Sequence, residues 1–329
     1  MTRVLPLVFQ PYLRPQIWGG RALGTMFGKR LPDDRPYGES WELSGHPHHV
    51  SIVAEGPLAG VSLDTLMHER RAELLGGAAA PGGRFPLLVK WLDCQALLSV
   101  QVHPDDAAAA ALLGDERGKT EAWVVLAAGP RAAIYAGLKH GTTPEEVAAR
   151  MADGAVAECL HRFVPHAGDC VFLPAGLVHA VGGGVVMAEI QQTSDATFRM
   201  HDWNRADPAT GQGRTLHRAQ SLRSIRFDFA PGEPVAPRPL DAGVPNVRAE
   251  RLVECPFFTL DRLTLLGGQP ATQPGRAEIW LALDGEAALV GPGYERTLVA
   301  GETIFVPAAA PACVWRPEPA ATLLRALPA

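Results

Sequence analysis

Short apolar runs of four to seven residues recur along the chain: Phe85–Trp91, Ala122–Leu126, Cys170–Leu173, Val185–Ile190 and Glu278–Leu283. The 34 glycines and 29 prolines fall mostly between such runs. Runs of this length bounded by turn residues predict strands, and many short strands with frequent turn signals predict a β-sandwich or barrel. Helical spacing appears in only a few places. Ser62–Leu75 carries apolar residues at Leu63, Leu66, Met67, Leu74 and Leu75, with Ser62 placed as an N-cap. Asp105–Leu113 is alanine-rich and starts with two acids, which suits the positive end of a helix dipole. Thr143-Pro144-Glu145-Glu146 reads as a cap, a proline at the first helical position and two acids, opening a helix to Met151.

Residues 229–245 hold five prolines and little periodicity, and they read as a connector between two β units. Gly76–Gly83 reads as a flexible loop of small residues. The two halves share a faint pattern. Gly168-Asp169 leads to Phe172-Leu173-Pro174, and Gly301-Glu302 leads to Phe305-Val306-Pro307, each a turn, a strand and a proline. The expected architecture is mainly β, with two β-barrel units and a few short helices.

Composition narrows the function classes. The chain has 329 residues, 47% apolar and 20% charged, with a net charge of -5, as expected of a globular protein with a real core. No run of lysine or arginine marks a nucleic-acid or membrane surface. The opening residues Met1–Pro6 show no secretory pattern, and no long uncharged stretch predicts a membrane span. Cys94, Cys159, Cys170, Cys255 and Cys313 are odd in number and widely spaced. That favours free thiols in a reducing cytoplasm.

One constellation carries chemistry. Gln101-Val102-His103 follows the apolar run Leu97–Val100, and residues two apart on a strand share a face. Glu121 opens the next predicted strand, after the turn Arg117–Thr120. His179 closes the segment that begins at Gly168. Two imidazoles, a carboxylate and an amide oxygen suit a catalytic zinc, though iron, manganese or cobalt would also be accepted. Lys119 sits two residues before Glu121 and shares its face in an extended chain. Lys90 interrupts an apolar strand, where a buried lysine is costly unless it meets an anion. With Ser99 on the strand leading to Gln101, it is a candidate for binding a phosphate. His46, His48 and His49 cluster in a Gly-His-Pro-His-His turn, and the remaining histidines read as surface or packing residues.

Gly168 to His179 resembles the second motif of the cupin barrels: Gly, five residues, Pro, one residue, Gly, two residues, His. Gly183 stands where cupins often have asparagine. The first cupin motif is altered, with Gln101 in place of its first histidine and 17 residues between His103 and Glu121. That alteration resembles the type I phosphomannose isomerases. The matching segments are Trp18-Gly19-Gly20, Gly38–Glu42, Pro86–Lys90, Leu98–Asp105, Gly118–Glu121 and Glu189–Arg199. The spacing is similar to the short bacterial branch, whereas the last third matches only as a barrel.

The resemblance implies two cupin-like jelly-roll domains: residues 1–228, catalytic and metal-binding, and residues 229–329, without ligands. It implies a zinc-dependent aldose–ketose isomerase that interconverts mannose 6-phosphate and fructose 6-phosphate through a cis-enediol. One zinc per chain would be held by Gln101, His103, Glu121 and His179. Arg199, ten residues after Glu189, would sit over the active site and stabilise the enediolate. Lys119 would assist proton transfer or bind sugar oxygens. Glu189 and Asp195 are both candidates for the general base, with a metal-bound water as a third, and Lys90 and Ser99 are candidates for substrate binding. Longer members place a lysine two residues beyond the glutamate ligand, where this chain has Trp123. The expected partner is a sugar phosphate alone, in a monomer or small homo-oligomer. A cupin iron oxygenase and a non-catalytic sugar-binding cupin are the rival readings; Gln101, Lys119 and Arg199 weigh against both.

Overall fold

Alternation along the strands sorts the side chains into layers. The computed structural model describes residues 4–206 and 211–329, so the start of the Met1–Pro6 stretch lies outside the described residues. A six-stranded antiparallel sheet runs in the order Tyr12–Gly20, Tyr37–Leu43, Leu87–Cys94, Val185–Gln192, Glu121–Ala128, Cys170–Leu173. A five-stranded sheet runs in the order Phe198–His201, Val100–Val102, His179–Gly182, Ala133–Leu138, Leu160–Phe163.

On Val185–Gln192, Val185 and Met187 pack with Leu92, Trp123 and Val171, and with Ile134, Ala136 and Val181 of the five-stranded sheet. Val186, Ala188 and Ile190 point to the opposite core. There they meet the helix Leu63–Leu75 and apolar residues of a third sheet, including Leu260, Ile279 and Phe305. That third sheet has seven strands, from Arg238–Leu240 to Val314–Pro328, and its own core around Trp280, Leu289 and Trp315. The six-stranded sheet is therefore covered on both faces, as its nearly continuous apolar runs require. The fold is mainly β, as expected. The pairing gives open sheets packed in layers, and among the described residues no sheet closes on itself.

Helix ends follow local chemistry. Ser62, Asp105 and Thr143 each accept a hydrogen bond from the backbone N–H three residues on. The connector is mostly irregular but contains the short strand Arg238–Leu240, and the small-residue loop holds one tight helical turn at Pro81–Gly83. The helix Arg218–Ser224 has no side-chain cap, and the sequence pattern did not announce it. Among the described residues no helix is long and apolar enough to cross a membrane.

Candidate metal centre and substrate cleft

Two cross-strand rows build the site. In the five-stranded sheet Gln101 pairs with His179 on one neighbour and with Arg199 on the other. Their chain neighbours Val100, Val102, Val178, Ala180, Phe198 and Met200 all lie in the core behind. Parity therefore turns the three polar side chains to the opposite face. In the six-stranded sheet Trp41, Lys90, Glu189 and Trp123 align across four strands, and Glu121 pairs with Gln191. Partners in such rows sit about 5 Å apart, close enough to form one polar cluster.

His103, Glu121 and His179 converge, with their ligand atoms all within 4.8 Å of one another. Glu121 Oε1 is 3.4 Å from His179 Nε2, and Oε2 is 3.6 Å from His103 Nε2. All three residues are at most 1% exposed. His103 Nδ1 lies 2.7 Å from the Ala196 carbonyl and His179 Nδ1 lies 2.9 Å from that of Leu177. A carbonyl only accepts, so each ring carries its proton on Nδ1 and turns its Nε2 lone pair inward beside Glu121, where that of His103 meets Lys119 Nζ at 3.1 Å. The amide of Gln101 joins them, its Nε2 being 3.3 Å from His179 Nε2, while Ser99 Oγ donates to Gln101 Oε1 at 3.2 Å.

Three Glu-x-Trp triplets occur on strands, and in two of them the indole N–H donates to the glutamate two residues earlier: Trp41 to Glu39 at 2.7 Å and Trp280 to Glu278 at 2.8 Å. In the third, the Trp123 indole turns instead to Glu189 Oε2, at 3.1 Å. Among the described residues both Glu121 oxygens are left buried without a hydrogen bond, although Lys119 Nζ stands 2.7 Å from Oε2 as an ion-pair partner. An open carboxylate beside two inward lone pairs is a donor set for a divalent ion.

Protonation states agree with that reading. Burial, with Lys119 adding to it, pushes His103 down to about 4, and burial also lowers His179. Glu121 is buried, which alone would raise its pKa, but Lys119 and the two histidines hold it well below the usual carboxylate range. Neutral imidazoles and an ionised carboxylate are the forms that bind metal. Lys119 stays charged, because Glu121 and Glu189 outweigh its burial.

Beside this centre opens a cleft of about 310 Å³. Lys90, Ser99, Gln101, Lys119, Glu189, Asp195 and Arg199 all line it, so the structure brings the anticipated residues together around the buried His103, Glu121 and His179. Some of them have partners that the sequence could not show. Lys90 Nζ meets Glu189 Oε1 at 2.8 Å, so the anion required by a buried lysine is supplied by the protein itself. Lys119 lies 3.8 Å from the same oxygen. Arg199 donates to the Thr215 carbonyl at 2.9 Å, while among the described residues its buried Nε has no hydrogen-bond partner. Asp195 Oδ2 is held by Arg14 at 3.5 Å and by His48 Nδ1 at 3.1 Å. Burial opposes ionisation of Asp195, but Lys90, Arg14, Lys119 and His48 together keep its pKa below the ordinary value.

Sequence reasoning missed Arg14, Gln16, Glu39 and Arg214, which also line the cleft. A signal existed for some of them. Arg14, Gln16 and Trp18 alternate along Tyr12–Gly20 and all face the cleft. Arg14 lies over the Trp41 ring, 4.8 Å from its centroid, and pairs with Glu39 at 3.3 Å. Arg214 was beyond reach, since only tertiary contact carries its residue to the cleft, where it grips Asp202 with two hydrogen bonds. Five cationic side chains against three carboxylates leave the lining with a positive excess, suited to an anionic ligand.

Layered antiparallel sheets around a buried His/His/Glu set, with a cationic cleft alongside, define a cupin-type protein with a candidate metal centre. Residues 7–122 match the family model described as "Phosphomannose isomerase type I, catalytic domain". The chain is 35% identical to the mannose-6-phosphate isomerase of Streptococcus mutans over 302 residues, covering 92% of each. It is 34% identical to that of Bacillus subtilis, covering 92% of this chain and 93% of the relative. The crystal structure of a Bacillus subtilis mannose 6-phosphate isomerase superposes with a TM-score of 0.89 at 29% identity, over 98% of this chain and 99% of that one. A mutant phosphomannose isomerase from Salmonella typhimurium shares the fold, with a TM-score of 0.80 at 17% identity over 99% of this chain and 100% of that one. The chain belongs to the type I phosphomannose isomerase family.

Proposed function

We propose that this protein interconverts mannose 6-phosphate and fructose 6-phosphate through a cis-enediol, with one zinc ion per chain. The observation that carries the reading is the open Glu121 carboxylate facing two inward imidazole lone pairs at the base of a cation-rich cleft. His103, Glu121 and His179 would hold the ion, joined by Gln101 once its amide turns Oε1 inward; Ser99 Oγ can accept as well as donate, so it serves either orientation. A zinc ion there supplies Lewis acidity beside the sugar oxygens.

The chain's own groups do the rest. Glu189 receives Lys90, Lys119 and the Trp123 N–H, which leaves it engaged and suits it to fixing both lysines. Among the described residues no hydrogen bond reaches Asp195 Oδ1, and its carboxyl is ionised, so Asp195 is the better placed of the two candidate bases. Asp195 removes the C2 proton and returns it to C1. The breaking C–H bond leaves its electron pair in the enediolate, whose charge Arg199 stabilises. Lys119 donates to a sugar oxygen, and Lys90 and Ser99 bind on the substrate side of the cleft. The low pKa of Asp195 makes it a weak base at rest, and losing neighbouring positive charge would strengthen it.

We assign residues 1–228 to the catalytic unit and 229–329 to a second cupin-like unit without ligands. The matching registers Leu173–Glu121 and Val306–Glu278 support that division. A cytoplasmic monomer or small homo-oligomer fits five cysteines that form no disulfide with one another. The test is a coupled assay from mannose 6-phosphate to fructose 6-phosphate, with and without chelator, beside elemental analysis. Turnover that is lost on chelation and restored by zinc, at one ion per chain, is the expected result. Full activity without metal, or no turnover of this pair with metal present, rejects the reading.

A further inference from the structure

The histidine-rich turn at residues 45–50 is not used by the mechanism above. It is a minimal hairpin in which Gly45 pairs with Val50 and His46 with His49, leaving Pro47 and His48 at the tip. Four contacts fix it. His49 stacks on Tyr12 at 4.0 Å between centroids. His46 is buried and its Nδ1 accepts the His48 backbone N–H at 3.1 Å, so its Nε2 carries the proton and faces Glu116 at 3.3 Å. The His48 ring packs edge-on against His46 at 4.5 Å. A rigid tip thus presents one imidazole across the cleft mouth, with Nδ1 3.1 Å from Asp195 Oδ2, while 66% of that side chain remains in solvent. Asp195 itself is 24% exposed, and Arg14, Lys90 and Lys119 are the other charged groups that act on it.

We propose that His48 is the proton-exchange relay between Asp195 and bulk water, acting through Asp195 as a positioning residue and not on the sugar. The inference rests on the isomerase reading with Asp195 as base. While Asp195 is ionised, His48 Nδ1–H donates to Oδ2. Once Asp195 has taken the C2 proton, the roles reverse. Solvent first exchanges the exposed ring to its Nε2–H tautomer, taking the Nδ1 proton and supplying one at Nε2. The carboxyl group, its O–H brought to the Oδ2 side by rotation about Cβ–Cγ, then donates to Nδ1, the proton passes to the ring, and the ring releases its Nε2 proton to water. The reverse sequence brings a solvent proton back to Asp195 and on to C1. No net proton is gained or lost, and the enediol keeps the electron pair throughout. Each intermediate therefore has two fates: direct return of the substrate's own proton, or exchange through His48 followed by return of a solvent proton.

The experiment reads that partition. Mannose 6-phosphate is turned over in deuterated water, and deuterium at C1 of fructose 6-phosphate is counted per turnover, so a slower variant is still scored. The wild type is expected to incorporate label. His48→Gln keeps a donor but cannot relay, and its label per turnover should fall at least about threefold. His48→Ala should show the same fall, with exchange restored by added imidazole. A purely structural role for the hairpin would change kcat or KM without moving the partition. Absence of label in the wild type, or wild-type partition in both variants, overturns the proposal. Asp195→Asn separates the two levels of failure. A large loss of kcat there with unchanged partition in His48→Gln rejects the relay alone. Wild-type turnover in Asp195→Asn rejects the base assignment and the relay with it.

Discussion

Glu189→Gln tests the idea that the cleft's lysines are held by a carboxylate and do not simply wait for substrate. Lys90 Nζ and Glu189 Oε1 are 2.8 Å apart, and each side chain is 5% exposed. Among the described residues Lys90 has no other carboxylate within ion-pair distance, so the variant leaves a buried ammonium facing a neutral amide. Breaking one partner of a buried pair usually costs about 3–5 kcal/mol. Here the amide oxygen still accepts a hydrogen bond and the cleft admits water, which reduces the expected cost to about 2–3 kcal/mol. For a chain of this size, each kcal/mol lowers Tm by about 2 °C, giving a fall of about 4–6 °C. Calorimetry at saturating zinc for every variant gives the number. Lys90→Met combined with Glu189→Gln removes the stranded charge and should recover about 1–2 kcal/mol relative to additivity. An unchanged Tm in the single variant, or strict additivity in the double one, would refute the reasoning.

Arg199→Ala should lower kcat about 100-fold with a smaller effect on KM, as loss of a transition-state contact does, and lysine should rescue it poorly; a raised KM alone would make Arg199 a ground-state binder. The metal-free protein should lose stability in acid. His103 titrates at about 4 in the folded state against 6.5 ordinarily, so its contribution is complete above 6.5 and is lost as pH falls from there toward 4, where the unfolded chain binds the extra proton. Urea midpoints that do not fall between about pH 7 and about pH 5 would contradict this. Gly118→Ala would place a Cβ 2.5 Å from Asp106 N and 2.6 Å from the Asp105 carbonyl carbon. Both are backbone atoms, so the turn carrying Lys119 and Glu121 must move, at a cost of about 1–3 kcal/mol and with reduced turnover. Wild-type Tm and kcat in this variant would show that the turn is not tightly packed.

Much of this protein is set by short-range chemistry, and so was legible in the chain. Ser62, Asp105 and Thr143 cap helices because a side-chain oxygen within three residues satisfies an N–H that the helix leaves open. Gln101 and His103 share a face because strand periodicity is two, and the apolar Val100 and Val102 on either side of Gln101 decide which face is buried. The anion demanded by Lys90 could be inferred from burial alone. What the chain could not reveal is which anion, because Glu189 is 99 residues away and meets Lys90 only through strand pairing. Nor could it reveal that the Trp123 indole would turn from Glu121 to Glu189, since all three Glu-x-Trp triplets read alike and only packing separates them. The short helix Arg218–Ser224 lacked a cap and was invisible for that reason. Arg14, Arg214 and the His48–Asp195 contact depend on loops and edge strands brought together by two packed sheets. Periodicity and capping are properties of neighbours in sequence; a cleft joins residues far apart in the chain, and only the tertiary fold sets those distances.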